Sequence, residues 1–434
     1  MNANTTFKRN DPKVINGWAL FDWANSAYAL TIAVAIFPAY FAERTPKVVS
    51  PLGIEMYNTT LFAAAVSASY LIIACISPIL SGIADFSGRK KFFLKFFTTL
   101  GSLACISLFF FEGNGDLAQG TIGFMLATIG FAGSLVFYNA YLPDIVTEDR
   151  YNTVSAKGFA LGYAGSVLLL LFNLYVLLKP EHFGLPAEGT LAVRLAFLTV
   201  GLWWIGFAQV SFRRLPKDTN TPFSRQMLTK GFGELRKVWR SVKQARNIRF
   251  FLFSFFFYSA GVQTVLSLAS LFAHEEMEME GVELIVVILI LQVVGLVGAY
   301  LFALLSDRIG NKWGLMIMLM LWTIVCVCGF FVVEKWHFFT LAAAVGLVMG
   351  GVQSQSRATY SKLLPEKTPD TTSYFSFYDV LEKAATALGA FSFAFTGQVS
   401  GGMRYSVLAL AFFFLIGLLL LSLVKVKRAE VNGG

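Results

Sequence analysis

Ser81-Gly-Ile-Ala-Asp85-Phe-Ser-Gly88-Arg89-Lys90-Lys91 and Ala303-Leu-Leu-Ser-Asp307-Arg308-Ile-Gly310-Asn311-Lys312 are two versions of one loop. In each, an aspartate is followed three residues later by glycine and then by cations. Each loop also interrupts a long apolar run. Asp85 and Asp307 stand 222 positions apart, and so do the Leu142-Pro143 and Leu364-Pro365 pairs further along. Two independent landmarks at one offset indicate a duplicated chain. A loop this short joins antiparallel helices tightly, so Gly88 and Gly310 supply backbone angles that other residues avoid. The aspartates can cap the start of a neighbouring helix or pair with an arginine across a cleft.

Outward from these loops the chain is strongly apolar. Of 434 residues, 56% are hydrophobic and only 14% charged, with 44 Phe. Soluble proteins carry about 25% charged residues, so this excess must meet lipid. A water-soluble enzyme, a secreted disulfide scaffold and a disordered chain are excluded. The net charge of +9 does not point to nucleic acid; topology explains the cations. Cys75, Cys105, Cys326 and Cys328 lie inside apolar runs and suggest packing, with no disulfide or metal framework.

A membrane helix needs roughly 20 apolar residues. Twelve segments qualify, near 15–42, 59–83, 92–111, 118–142, 153–178, 190–212, 249–273, 282–304, 314–333, 338–360, 372–398 and 404–424. The fourth, fifth and eleventh carry polar residues inside. With both termini cytoplasmic, the inner loops hold Arg89, Lys90, Lys91, Arg150, Arg308, Lys312, Lys362, Lys367 and the tail Lys425, Lys427 and Arg428. Outside remain Arg44, Lys47, Lys179, Lys335 and Arg404, with the acidic run Glu275, Glu276, Glu278 and Glu280. This bias sets the orientation. Residues 1–13 are polar and lack the apolar core of a cleavable signal.

The expected fold is therefore an all-α membrane protein. Twelve transmembrane helices form two pseudo-symmetric six-helix halves, residues 1–212 and 249–434, with N and C termini cytoplasmic. Six helices per half keep both halves in the same orientation, related by an axis along the membrane normal. Between them, 213–248 carries Leu228, Phe232, Leu235, Trp239 and Val242 at helical spacing, interleaved with Lys230, Arg236, Lys237, Arg240, Lys243 and Arg246. This basic amphipathic helix is expected on the anionic inner leaflet, or docked on a cytoplasmic partner.

The D-x-x-G-R-K loop with its weaker second copy resembles the signature of the major facilitator superfamily. Three further stretches are similar to the vacuole-effluxer family, which groups autophagy-related vacuolar amino-acid exporters with bacterial relatives. They are Trp18-Ala-Leu-Phe-Asp22-Trp23-Ala24-Asn25-Ser26-Ala27-Tyr28, Phe137-Tyr138-Asn139-Ala140-Tyr141-Leu142-Pro143-Asp144 with Gly158-Phe-Ala-Leu-Gly162-Tyr163, and Gly350-Gly351-Val352-Gln353-Ser354-Gln355-Ser356-Arg357. The resemblance implies the major facilitator fold, solute export, and a multi-pass location in a bacterial cytoplasmic (inner) membrane. The chain departs from the family at Ser81, where the loop motif opens with Gly. It departs again at Tyr258-Ser259-Ala260-Gly261-Val262-Gln263-Thr264, where an acidic residue is usual. No coupling role carries over to that segment.

Charges in hydrocarbon cost roughly 2.5–3.5 kcal/mol each, so those inside spans are candidates. Trp18, Asp22, Asn25 and Ser26 share one helix face. Asp22 reads either as a proton or amine site or as the buried partner of a basic residue. Lys383 lies near mid-membrane with Asp379 one turn before it and Glu382 adjacent. It either pairs with Asp379 or receives a substrate carboxylate. Asn139, Gln263, Gln292, Gln353 and Tyr378 add hydrogen-bonding capacity and point to a polar cavity. Candidate substrate or proton residues are thus Asp22, Asn25, Ser26, Asn139, Gln263, Tyr378, Asp379 and Lys383. Candidate cytoplasmic gate residues are Asp85, Gly88, Arg89, Lys90, Asp307, Arg308, Gly310 and Arg357. Arg194 reads as snorkelling or as a site residue, and Lys157 as interfacial, gating or substrate-contacting.

These features favour a secondary transporter working by alternating access, exporting amino acids or similar metabolites, with proton coupling through Asp22. A lipid flippase or a non-transporting sensor on the same scaffold is the alternative. HExxH, Walker and GxSxG motifs are absent from the sequence, so an enzyme is not expected. Nor are a cofactor, a metal or nucleic acid. The expected state is a monomer whose partners are a small-molecule substrate and membrane lipid.

Overall fold

The computed structural model describes residues 8–113, 116–186, 188–219, 226–365, 368–400 and 402–425. Lys367, Lys427, Arg428, residues 1–7 and the side chains of Leu228 and Lys230 lie outside the described residues. The helices are α1 Pro12–Arg44, α2 Asn58–Ser87, α3 Lys90–Phe110, α4 Leu117–Ile145, α5 Glu148–Leu178 and α6 Leu191–Arg214. Then come α7 Gln226–Gln244, α8 Arg246–Met277, α9 Val282–Ile309, α10 Asn311–Phe331, α11 Lys335–Leu363, α12 Thr371–Ser400 and α13 Met403–Ser422. Between α1 and α2, β1 Val48–Val49 pairs antiparallel with β2 Met56–Tyr57.

Eleven of these helices are long and apolar enough to cross a membrane, among the described residues. The sequence reading expected twelve spans. The remaining one, at 372–398, is α12, a 30-residue helix with Asp379, Glu382 and Lys383 inside it. It has the length to cross, but not the apolar content of the other eleven.

Local chemistry explains the helix ends. Asp11 caps α1 by accepting the Lys13 N–H at 2.8 Å, and Pro12 fits the first turn because its missing N–H is not needed there. Within α1, Tyr28–Ile36 winds as a π-helix before Pro38. Gly88 closes α2 at φ 64° and Gly310 closes α9 at φ 92°. Both are left-handed angles, as the paired loops led us to expect. Asp218 starts α3 by accepting the N–H groups of Lys91 and Phe92 at 2.7 and 2.8 Å.

Two buried clusters hold the helices. One is built almost wholly from α1–α6, around Trp18, Trp204 and Phe37. The other comes mainly from α8–α13, around Trp322, Phe414 and Tyr258, with Ala140, Tyr163, Val238 and Val242 joining from elsewhere. In lipid, helices associate through close packing rather than through expulsion of water. Accordingly, Gly101 lies against Gly130 where α3 meets α4, and Gly350 lies against the Gly295 carbonyl where α11 meets α9. The two groups meet where α5 packs on α9 and α11, and where α12 packs on α2 and α4.

The linker helix is docked on the protein along one face. α7 packs along α2, with Gly231 against Gly82 and with Val238 and Val242 buried. Phe232, Trp239, Arg236, Arg240 and Lys243 stay exposed. Its apolar stripe is therefore shared between protein and surroundings.

Candidate functional site

At the end of the bundle carrying the paired loops, α12 begins in the grip of four side chains from outside its own half. The Asp85 carboxylate accepts the Thr372 and Ser373 backbone N–H groups at 3.1 and 2.7 Å. These are orphan donors of the first helical turn, where the helix dipole also favours an anion. Lys90 donates to the Thr371 hydroxyl and to Asp144, both at 2.6 Å. From α7, Lys237 pairs with Asp370 at 2.8 Å, and the Tyr374 hydroxyl donates to Ser241 at 2.8 Å. The hydrogen bonds to Asp370 and Glu234 hold the Lys237 ammonium above its ordinary pKa.

The second loop grips differently. Asp307 accepts the Asn152 side-chain amide at 2.7 Å, and Asn152 and Asn311 exchange amide hydrogen bonds at 2.6 and 3.0 Å. Arg308 is exposed and makes no hydrogen bond or ion pair among the described residues. A cleft of about 760 Å³ opens at this end, lined by Asp144, Glu148, Arg246, Lys362 and Lys425 among others.

Deeper in, Arg357 crosses between the halves. It lies on α11, six residues from the helix end, and is 2% exposed. Its Nη1 lies 3.4 Å from Asp22 Oδ2 and donates to Asn139 at 3.0 Å. Its Nε donates to the Ser155 hydroxyl and its Nη2 to the Ser155 carbonyl, each at 2.9 Å. The guanidinium also sits over the rings of Phe159 and Trp18, at 4.3 and 4.7 Å. Tyr138 donates to Asp22 at 2.7 Å. Gly158 makes room for the pair, since a Cβ there would stand 2.5 Å from Asp22 Oδ2. Of Asp22's two sequence readings, the buried-partner one is thus realised here. Arg357, grouped with the gate in the sequence, is joined to Asp22.

A second buried cluster occupies α12. Lys383 pairs with Asp379 at 2.9 Å and lies 3.5 Å from Glu382. Gln263 on α8 donates to Glu382 at 3.0 Å, and the Lys383 ammonium sits 5.6 Å over the ring of Tyr70 on α2. Lys383 is therefore occupied by carboxylates of its own chain. Tyr378 stacks on Phe255 at 3.9 Å and on Tyr360 at 5.2 Å, one helical turn closer to the loop end than Glu382.

Asn25 is buried beside Ser134, and Ser26 faces Gly162. Gln353 accepts from Tyr163 at 2.6 Å, another contact between halves. Arg194 pairs with Glu112 within the first half, and Lys157 with Asn16 at 2.5 Å. Sequence reading missed Tyr138, Ser155 and Tyr70. Tyr138 was visible as a polar aromatic beside Asn139; Ser155 and Tyr70 carried no signal.

The hydrogen bonds joining the two groups run from the loop end to the Tyr163–Gln353 pair, among the described residues. Beyond that pair, toward the opposite end, the ion pairs stay within a half, as in Arg194–Glu112, Lys335–Glu283 and Arg404–Glu276.

Comparison with known proteins agrees with this architecture. An uncharacterized MFS-type transporter, YxiO, of Bacillus subtilis is 29% identical over 410 residues, covering 94% of each chain. Autophagy-related protein 22-1 of Aspergillus terreus is 23% identical over 504 residues, covering 95% of this chain and 82% of its own. The crystal structure of the major facilitator transporter FucP in the outward conformation matches with a TM-score of 0.72 at 13% identity, over 96% of this chain and 99% of that one. The human organic anion transporter MFSD10 matches at 0.70 and 13%, over 95% and 100%. These structures share the fold. A family model described as "Vacuole effluxer Atg22 like" matches residues 10–434, so the chain belongs to that family and is a multi-pass membrane transporter of the major facilitator type.

Proposed function

We propose that the protein is a secondary active transporter that exports an amino acid or similar small metabolite by alternating access. In this reading twelve helices span the membrane, α12 included, as two six-helix bundles, 1–212 and 249–434, joined by the 213–248 linker. Both termini face the cytoplasm of a bacterial cell, and the loop end is the cytoplasmic gate. The fungal relatives' family name and the loop-charge bias support this orientation and direction.

One observation carries the reading: polar contacts join the halves at the loop end, around the buried Asp22–Arg357 pair, and ion pairs beyond it stay within each half. A bundle latched at one end and free of such links at the other is one state of a rocking pair. Asp22 is the proposed coupling site, because its protonation removes the charge that holds Arg357 across the interface. The test is transport by purified protein in liposomes under imposed pH gradients. Asp22→Asn should abolish the dependence of transport on the pH gradient. Equal transport by the variant and the wild type at every gradient would remove the coupling role.

A further inference from the structure

The Asp379–Glu382–Lys383 cluster holds two carboxylates against one ammonium. If all three are charged, the excess is one negative charge. It lies about 12–18 Å along α12 from Thr371, counting 1.5 Å per residue, well inside the bundle. An uncompensated charge at that depth is costly. Lys383 holds Asp379 Oδ1 at 2.9 Å and Glu382 Oε2 at 3.5 Å, one positive charge shared between two acids. Asp379, 4% exposed, has its second oxygen, Oδ2, buried with no hydrogen-bond partner. Glu382 keeps 24% of its side chain exposed. Tyr70 supplies an aromatic face on the opposite half, and such faces favour cations.

The geometry points to this cluster as a binding site for the protonated amine of the transported solute. The unpartnered Asp379 oxygen and Glu382 are its acceptors, Gln263 orients Glu382, and Tyr70 closes the site from the other half. The inference rests on the transporter reading and adds the chemical class of the ligand. Of the two sequence readings of Lys383 it takes the pairing with Asp379: the lysine partly neutralises the site and does not receive a carboxylate.

The test is thermal unfolding of the purified full-length protein with four probes: L-alanine, L-alanine methyl ester, n-propylammonium and N-acetyl-L-alanine. The three amines are expected to raise Tm in a concentration-dependent way, and N-acetyl-L-alanine is not. Glu382→Gln should weaken the apparent affinity for the ester about 10- to 100-fold, the range for one charge-assisted hydrogen bond. Lys383→Gln should leave ester binding intact or tighter. The comparison of ester with acetyl compound needs no variant, so it stands even if a substitution impairs folding. Protection by N-acetyl-L-alanine equal to that by the ester, loss of ester binding in Lys383→Gln, or no protection by any amine would each overturn the site. Flux of labelled L-alanine in liposomes separates the two readings. Amine binding without flux would refute transport and leave the site. Flux unaltered by Glu382→Gln would refute the site and leave transport.

Discussion

Asp85→Ala should loosen the contact between the halves at the loop end. The carboxylate accepts two backbone N–H groups across the interface, at 2.7 and 3.1 Å. Hydrogen bonds to a charged group contribute about 1.5–3 kcal/mol each. Taking the lower value twice gives about 3 kcal/mol. The two N–H groups bind water once the halves part, and the carboxylate regains water too, so this figure is a ceiling. At 1.4 kcal/mol per tenfold, that is a shift of at most about a hundredfold in the ratio of open to closed gate. Spin labels at Glu148→Cys and Arg246→Cys would read the ratio, since both residues line the cleft at this end, Glu148 from the start of α5 and Arg246 from the start of α8. The exposed Cys75 and Cys328 would first be replaced by serine. Pulsed dipolar spectroscopy in nanodiscs should show the longer-distance population growing at the expense of the shorter. A change in their ratio of less than about threefold would refute the assignment of Asp85 as a principal latch.

Three further predictions follow from the same contacts. Gly158→Ala places a Cβ 2.5 Å from Asp22 Oδ2 and 2.9 Å from Arg357 Nη2, so denaturation in detergent should show a loss of about 1–3 kcal/mol; Gly206→Ala, which meets nothing within 4 Å, is the control and should show no loss. Asp22→Asn and Arg357→Gln should each cost about 3–5 kcal/mol, as expected when one member of a buried pair is removed, and the double variant should cost clearly less than the sum; strict additivity would refute direct coupling. Finally, the raised pKa of Lys237 means its contribution is fully present below the lysine's unfolded value of about 10.4 and fades only above it. Docking of α7, followed by hydrogen exchange of its backbone amides over 234–244, should therefore be unchanged by Lys237 titration between pH 6 and 9, yet loosen with salt, because Lys237 is 61% exposed and screened.

Much of the architecture is written locally and was readable. Helices announce themselves by apolar length, and the duplication by Asp85 and Asp307 at one offset. Gly88 and Gly310 were expected in unusual angles because nothing else turns so tightly. The expectation that the loop aspartate caps a neighbouring helix is met by Asp85 on α12. Partner choice was not readable. Asp22 and Arg357 each stand out as costly in an apolar helix, but nothing in a sequence says that residues 335 positions apart meet. Periodicity showed that α7 has an apolar stripe, and could not say whether α2 or lipid would cover it. α12 is hard to read for a physical reason: Asp379, Glu382 and Lys383 dilute the hydropathy that would mark it as a span.

The two latches differ in what they read. Asp85 accepts two backbone amides, which every residue but proline offers, so substitutions at Thr372 and Ser373 leave these two hydrogen bonds in place. Asp307 binds the Asn152 side chain, so a change at Asn152 breaks its latch until a compensating change restores it. The copies of one duplicated loop have thus come under different genetic rules. Suppressor mutations are expected among Asn152, Asp307 and Asn311, where side chains meet side chains, more often than around Asp85, whose hydrogen bonds at 3.1 and 2.7 Å come from the backbone.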